Sequence, residues 1–263
     1  MSRSVFLVTG ASRGLGAAVA CWLGAVGAGV TLVARTKAAL EATAAEVTRL
    51  GGKAAVAVCD ITDGEACDHA VAQCMARFGR LDGLVNNAGV VQPLGKIAGS
   101  DPTVWRSSME VNLFGAYAMT RAALDALRAR SGRVVNVSSG AAHLPLPGAS
   151  AYCAAKAGLT HLTRVLAAEE SGITAVAVRP GVVDTAMQKV LREEGSRLLP
   201  EAQAAVYQRF KENNELEPPH VPARSVAWLV MRAPQRLSGA FLDYDDPAIA
   251  GPALEMFGES FGG

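Results

Sequence analysis

Charge of either sign is scarce and nearly cancels: 25 Lys and Arg against 24 Asp and Glu leave a formal net charge of +1 over 263 residues. No basic run or Lys/Arg cluster is present, so the chain lacks the electrostatic footprint of a nucleic-acid or anionic-membrane binder. Metal-ligand spacing is missing too. The five cysteines, Cys21, Cys59, Cys67, Cys74 and Cys153, include no C-x-x-C pair, which favours scattered reduced thiols over zinc. Cys67 and His69 find no second ligand pair, and His143, His161 and His220 stand alone, so no metal is expected. Residues 14–34 lack any charge, yet five glycines divide that run into a helix followed by a β-branched strand rather than one membrane span. With no charged leader and cleavage site ahead of it, a cytoplasmic location is expected.

What is present is a chain that is 50% hydrophobic, enough to bury a substantial core. Strand and helix patterns alternate. Strands are predicted at 5–9, 30–35, 54–59, from 84, 133–138, 174–178 and 240–244, and helices at 14–26, 37–50, from Thr62 to 78, 101–110, 112–129, 150–169 and 223–231. Thr62-Asp-Gly-Glu65 reads as a capping box. Such βα units predict an α/β fold, a doubly wound parallel sheet with helices on both faces. No repeat, low-complexity stretch or linker divides it, so one domain is expected over 1–263.

Ligands bind such sheets at the carboxyl ends of the strands, and the distinctive stretches fall there. Thr9-Gly10-Ala-Ser12-Arg13-Gly14-Leu15-Gly16 follows the first strand and opens the first helix. Its glycines allow a tight turn and close approach of a pyrophosphate to free N–H groups. Further on, Tyr152 and Lys156 stand four residues apart in a predicted helix, on one face. A free tyrosine titrates near pH ~10, and a neighbouring ammonium is expected to lower that value toward general acid/base use.

The Gly-x-x-x-Gly-x-Gly order, Asn86-Asn87-Ala88-Gly89, Asn112, Ser139, Tyr152-x-x-x-Lys156 and Pro180-Gly181 together resemble the short-chain dehydrogenase/reductase family. The resemblance implies roles. Tyr152 would donate or remove the proton, Lys156 would tune it and hold the nicotinamide ribose, Ser139 would polarise the carbonyl, and Asn112 would hold a relay water. Cofactor contacts would come from Gly10, Ser12, Arg13, Gly14, Leu15 and Gly16, from Asp60 and Ile61 beside adenine, and from Asn87, Ala88 and Gly89. Pro180, Gly181, Val183 and Thr185 would fix the carboxamide. Local readings compete at three of these: Asn112 as a helix cap or kink residue, Asp60 as an acceptor for nearby backbone N–H groups, and Thr185 as a helix cap.

Arg35 stands nineteen residues after Gly16, where NAD-preferring sites place an acidic residue, and no Asp or Glu occurs between Gly10 and Leu40. A guanidinium there suits a 2′-phosphate, with Arg13 approaching from the other side, so NADP(H) is the expected cofactor. Residues 187–222 lose periodicity and are expected to form a substrate loop or lid with two short helices. Asp184-Thr185-x-Met187-Gln188 is similar to the sepiapterin reductase and benzil reductase branch. Ser238 to Pro247 lacks the usual closing aspartate with paired glycines, which bears on the homo-oligomer, dimer or tetramer, that the family implies. The reading is an NADP-dependent carbonyl reductase acting on a small ketone or diketone. A non-catalytic NADP sensor on the same fold is the rival.

Overall fold

The structure, a computed structural model, describes residues 3–261. Its centre is made by apolar strands buried on both faces, as a parallel sheet between helices requires. In chain order the elements are β1 (Val5–Thr9), α1 (Gly14–Ala25), β2 (Gly29–Ala34), α2 (Lys37–Arg49), β3 (Lys53–Val58), α3 (Gly64–Phe78) and β4 (Gly83–Asn86). There follow α4 (Pro102–Met109), α5 (Gly115–Arg128), β5 (Arg133–Val137), α6 (Ser150–Glu169) and β6 (Thr174–Arg179). The chain ends with α7 (Ala186–Glu193), α8 (Gly195–Leu198), α9 (Glu201–Glu212), α10 (His220–Arg232), β7 (Phe241–Asp243) and α11 (Pro247–Phe257).

The seven strands run in the order β3-β2-β1-β4-β5-β6-β7, and every pairing is parallel. The order reverses between β1 and β4, which opens a crevice at their carboxyl ends. On one face Trp22, Leu23, Leu40, Val47, Val226 and Leu229 bury α1, α2 and α10 against the sheet. On the other, Val71, Met119, Leu127 and Leu166 bury α3, α5 and α6. No helix among the described residues is long and apolar enough to cross a membrane.

Four sequence expectations need correction. The cap of α3 is Asp63, whose carboxylate accepts from the N–H groups of Glu65 and Ala66 at 2.9 and 3.2 Å. Thr62 is not the cap because its hydroxyl donates to Asp60 at 2.9 Å. The two helices expected around residue 111 are one rod, joined by a π-turn over Glu110–Phe114. Residues 187–222 are mostly helical: α9 is rich in Ala, Gln, Glu and Lys, with Glu201 in its first turn and Arg209 and Lys211 in its last, all favourable for a helix. Helix α11, unforeseen, opens with Asp246 accepting from Ala248 N–H at 2.8 Å and Pro247 in the first turn.

Candidate active site

The glycine loop is shaped by what it must touch. Gly10 and Gly14 adopt φ of 65° and 57°, a region costly for residues with a Cβ. A Cβ on Gly10 would also lie 2.9 Å from Ala88 Cα, so β1 and β4 approach here only without one. Asn87 closes the contact: its amide donates to the Thr9 carbonyl at 2.9 Å, while the Thr9 hydroxyl accepts from the N–H groups of Asn87 and Ala88. Thr9, not singled out from sequence, thereby joins the two strand ends. Gly16 is buried against Gly10 and Asn87 and serves close packing, whereas Gly10, Ser12, Arg13, Gly14 and Leu15 line the cleft.

That cleft has a volume of about 1280 Å³. Tyr152 and Lys156 reach it from the first turns of α6, and Ser139 from the turn after β5. The Lys156 ammonium donates to the Val137 carbonyl at 2.7 Å and lies 5.7 Å from the centre of the Tyr152 ring. Ser138 meets the Thr160 hydroxyl at 2.6 Å in the core, leaving Ser139 as the hydroxyl beside Tyr152. Burial pushes the Tyr152 phenol up, a hydrogen bond with Ser139 pulls it down, and the Tyr207 phenol adds to the rise. The lowered phenol expected from Lys156 is therefore not found: burial dominates. The same burial lowers the Lys156 ammonium to about 8.

Asn112 sits inside the π-turn and is 1% exposed, off the cleft wall. Its amide donates to the carbonyls of Val90 at 2.8 Å and Ser108 at 2.9 Å, and its oxygen accepts from Val90 N–H at 3.0 Å. An amide so committed fixes the backbone on both sides of the π-turn. A Cβ on Gly89 would stand 2.7 Å from the Asn112 oxygen and 3.7 Å from the Lys156 nitrogen, so Gly89 lets that wall close on the lysine.

The loop after β6 forms the opposite side. Gly181 has φ of 75°. Val183 pairs with Glu217 as a parallel bridge: Glu217 N–H donates to the Val182 carbonyl at 2.8 Å, and Asp184 N–H to the Glu217 carbonyl at 2.9 Å. This geometry turns the N–H and C=O of Val183 itself away from residue 217. Thr185 holds the cap position of α7 but makes no capping hydrogen bond, so its hydroxyl is not spent on the helix.

At the far end of the cleft, Arg35 and Asp60 lie 4.0 Å apart with side chains 73% and 47% exposed, a pair of little energetic worth. Asp60 also accepts from Thr62 N–H at 3.1 Å, the local role weighed against adenine contact. Ile61 lines the cleft beside it and packs against Gly115. Toward α7 and α9 the walls turn apolar, with Leu146, Met187, Leu191, Tyr207 and Phe210 around Tyr152. Tyr207 was missed because the two short helices expected within 187–222 were given no bounds, so the inward face of α9 could not be read.

A cleft of this kind, at the switch point of a doubly wound sheet with a glycine-rich turn beneath it, belongs to the dinucleotide-binding α/β proteins. The profile of the short chain dehydrogenase family matches residues 4–196. The uncharacterized oxidoreductase YIR035C of Saccharomyces cerevisiae is 34% identical over 250 residues, 94% of this chain and 97% of that protein. Its crystal structure superposes with a TM-score of 0.90, covering 94% of this chain and 98% of the other. Benzil reductase ((S)-benzoin forming) IRC24 of the same yeast is 36% identical over 262 residues, 92% of this chain and 96% of that protein. A variant of the actinorhodin polyketide ketoreductase, solved with NADPH, is 30% identical with a TM-score of 0.81 over 92% of this chain and 95% of the other. Similar solved structures carry NADPH in one case and NADH or NAD in others. This chain belongs to the short-chain dehydrogenase/reductase family and is an oxidoreductase of the carbonyl/alcohol type.

Proposed function

We propose that the enzyme reduces a small ketone or diketone with NADPH, using Tyr152 as general acid. The observation that carries this reading is the buried Tyr152–Lys156 pair with Ser139 beside it on one wall of a cleft whose floor is the glycine loop. The residues fit a dinucleotide: Gly14 carries no Cβ where one would reach across the cleft to Thr185, and α1 presents its N-terminus there. Gly10, Ser12, Gly14 and Leu15 would cradle the phosphates, with Gly16 packing the loop onto Asn87. Asp60, Ile61, Ala88 and Gly89 would bound the adenine half, and Pro180, Gly181, Val183 and Thr185 the nicotinamide half. Bound nicotinamide supplies the hydride.

Ser139 then holds the substrate oxygen and Tyr152 gives it a proton, while the Lys156 ammonium, bonded to the Val137 carbonyl and 5.7 Å from the centre of the Tyr152 ring, would favour the phenolate left behind. Asn112 acts as a positioning residue through Val90 and Gly89. The apolar walls around Met187, Leu191 and Phe210 suit an uncharged substrate with aryl or alkyl groups, and the similarity to a benzil reductase points the same way. Helices α7 to α9, over 186–212, would be the lid that selects it. A cytoplasmic enzyme assembled as a dimer or tetramer is the accompanying reading, with Phe114 and Tyr117 half-exposed and available for contact.

Cofactor choice tests this most simply. Arg35 and Arg13 line the cleft where the ribose 2′-position would fall, and the 4.0 Å pairing of Arg35 with Asp60 leaves its guanidinium largely free. Each charge-assisted contact to a phosphate is worth roughly 1.5 to 3 kcal/mol, so NADPH should exceed NADH by at least ~10-fold in kcat/KM. Arg35→Asp should erase or reverse that ratio and leave kcat at saturating cofactor nearly intact. Equal efficiency with both cofactors in the unmodified enzyme would remove the NADP assignment.

A further inference from the structure

Helix α9 carries one buried residue, Tyr207, whose side chain lines the cleft and leaves the residue 6% exposed. It shares a cluster with Tyr152, Leu191 and Leu199, and its ring meets that of Phe210 edge-on with centroids 6.4 Å apart. The helix is held from two sides. The Gln208 amide donates to the Arg192 carbonyl of α7 at 3.3 Å, and the Lys211 ammonium lies 3.6 Å from the Asp184 carboxylate. Tyr207 is thus a fixed part of the wall and brings a rigid ring with a polar tip to it.

Packing alone does not ask for that tip, since Phe210 lines the same wall without one. A buried phenol ordinarily finds a partner. Among the described residues, however, no acceptor takes the proton of the Tyr207 hydroxyl in hydrogen-bonding geometry, and its oxygen is not one of the sealed, unpaired polar atoms of the interior, as Gln188 Oε1 is. The hydroxyl therefore opens onto the cleft. Burial pushes the phenol up and the Gln203 amide, one turn earlier, partly offsets this, so Tyr207 is a neutral donor at ordinary pH.

Ser139 and Tyr152 serve the oxygen that reacts. A vicinal diketone carries a second oxygen, and in its extended form the two lie on opposite sides of the central bond. The second one then points away from Ser139 and Tyr152, toward walls where Met187, Leu191 and Phe210 offer it no hydrogen bond. We propose that Tyr207 is a specificity-determining residue whose hydroxyl donates to the second, unreacting carbonyl oxygen of a vicinal diketone. This rests on the carbonyl-reductase reading above and deepens it, by naming the group that tells a diketone from a simple ketone. A hydrogen bond to an oxygen that does not react is made equally before and in the transition state, so its effect belongs in KM rather than in kcat.

The test uses matched probes: benzil and 1-phenyl-1,2-propanedione as substrates, and deoxybenzoin and propiophenone, in which a methylene replaces one carbonyl, as competitive inhibitors of their reduction. Constants are measured with NADPH for the unmodified enzyme, Tyr207→Phe and Phe210→Leu. In Tyr207→Phe, KM for the diketones should rise about three- to tenfold, the worth of one neutral hydrogen bond. The diketone kcat, the inhibition constants of the two monoketones and the affinity for NADPH should each change by less than about twofold. Phe210→Leu, which trims the wall and removes no hydroxyl, should weaken diketones and monoketones alike. Equal weakening of both classes in Tyr207→Phe would make Tyr207 a packing residue, and an unchanged diketone KM would leave its hydroxyl without a substrate contact; either overturns the proposal. A fall in kcat at unchanged KM would place the hydroxyl on the reacting oxygen and overturn it as well. If the unmodified enzyme reduces neither diketone the inference fails, and turnover of other carbonyls in the same assay would show that the reductase reading survives it.

Discussion

Burial acts on the two central side chains in opposite directions, raising the Tyr152 phenol and bringing the Lys156 ammonium down to about 8. Both shifts disfavour the charged form; a phenol is neutral at ordinary pH in any case, so it is the buried ammonium that is held at a cost to the fold. The sign of that cost is testable. The ordinary lysine value is 10.5 and the folded value about 8. Above the folded value and below the ordinary one, the unfolded chain binds more protons at this position, and stability gains with rising pH. Below about pH 8 the penalty of a buried ammonium is fully present. Thermal melts of the free protein and of Lys156→Met should therefore diverge in favour of the unmodified protein as pH rises from about 8 to 10.5, with a constant difference below that window. A difference independent of pH throughout would mean that Lys156 is not buried as a cation. The residue types of this site were legible in the chain because Tyr152, Lys156 and Ser139 fall at telling intervals; the direction of the phenol shift was not, because it depends on burial that spacing does not record.

At the scale of elements, the apolar strands and the helices between them could be read to within a few residues, since both faces of the sheet are covered and the pattern is strong. The failures have local causes. Asp63 took the cap from Thr62 because a neighbouring carboxylate claimed the threonine hydroxyl. The Asp-Pro step that opens α4 recurs at Asp246-Pro247 and marks α11 equally well, a signal present in the chain and passed over. Helices α7 to α9 were obscured by Gly195, which opens α8, and by Pro200, which stands just before α9, and their period is short in each piece. These helices rest on the small cluster around Tyr152 and Tyr207 rather than on the two large cores, so their local stability should be low. Hydrogen exchange should be faster in 186–212 than in β1, β4 and β5, and should slow when NADPH and a substrate analogue bind. Protection in the free protein equal to that of the central strands would make this region a fixed wall.

For the whole molecule, the reversal of strand order between β1 and β4 gathers the ends of β1 to β6 into one cleft, so residues as distant as Gly10, Asp60, Tyr152 and Val183 share it. The same architecture without turnover would serve a sensor of dinucleotide binding, a reading that the likeness to named reductases disfavours. The direct measurement is NADPH oxidation across a panel of ketones, vicinal diketones and a pterin ketone, run in parallel on the unmodified enzyme and Tyr152→Phe. The account predicts turnover of at least one carbonyl, a fall in kcat of at least ~100-fold in the variant, the usual worth of general acid catalysis, and nearly unchanged NADPH affinity. Tight NADPH binding with no turnover by the unmodified protein, or a variant that keeps most of its kcat, would contradict it.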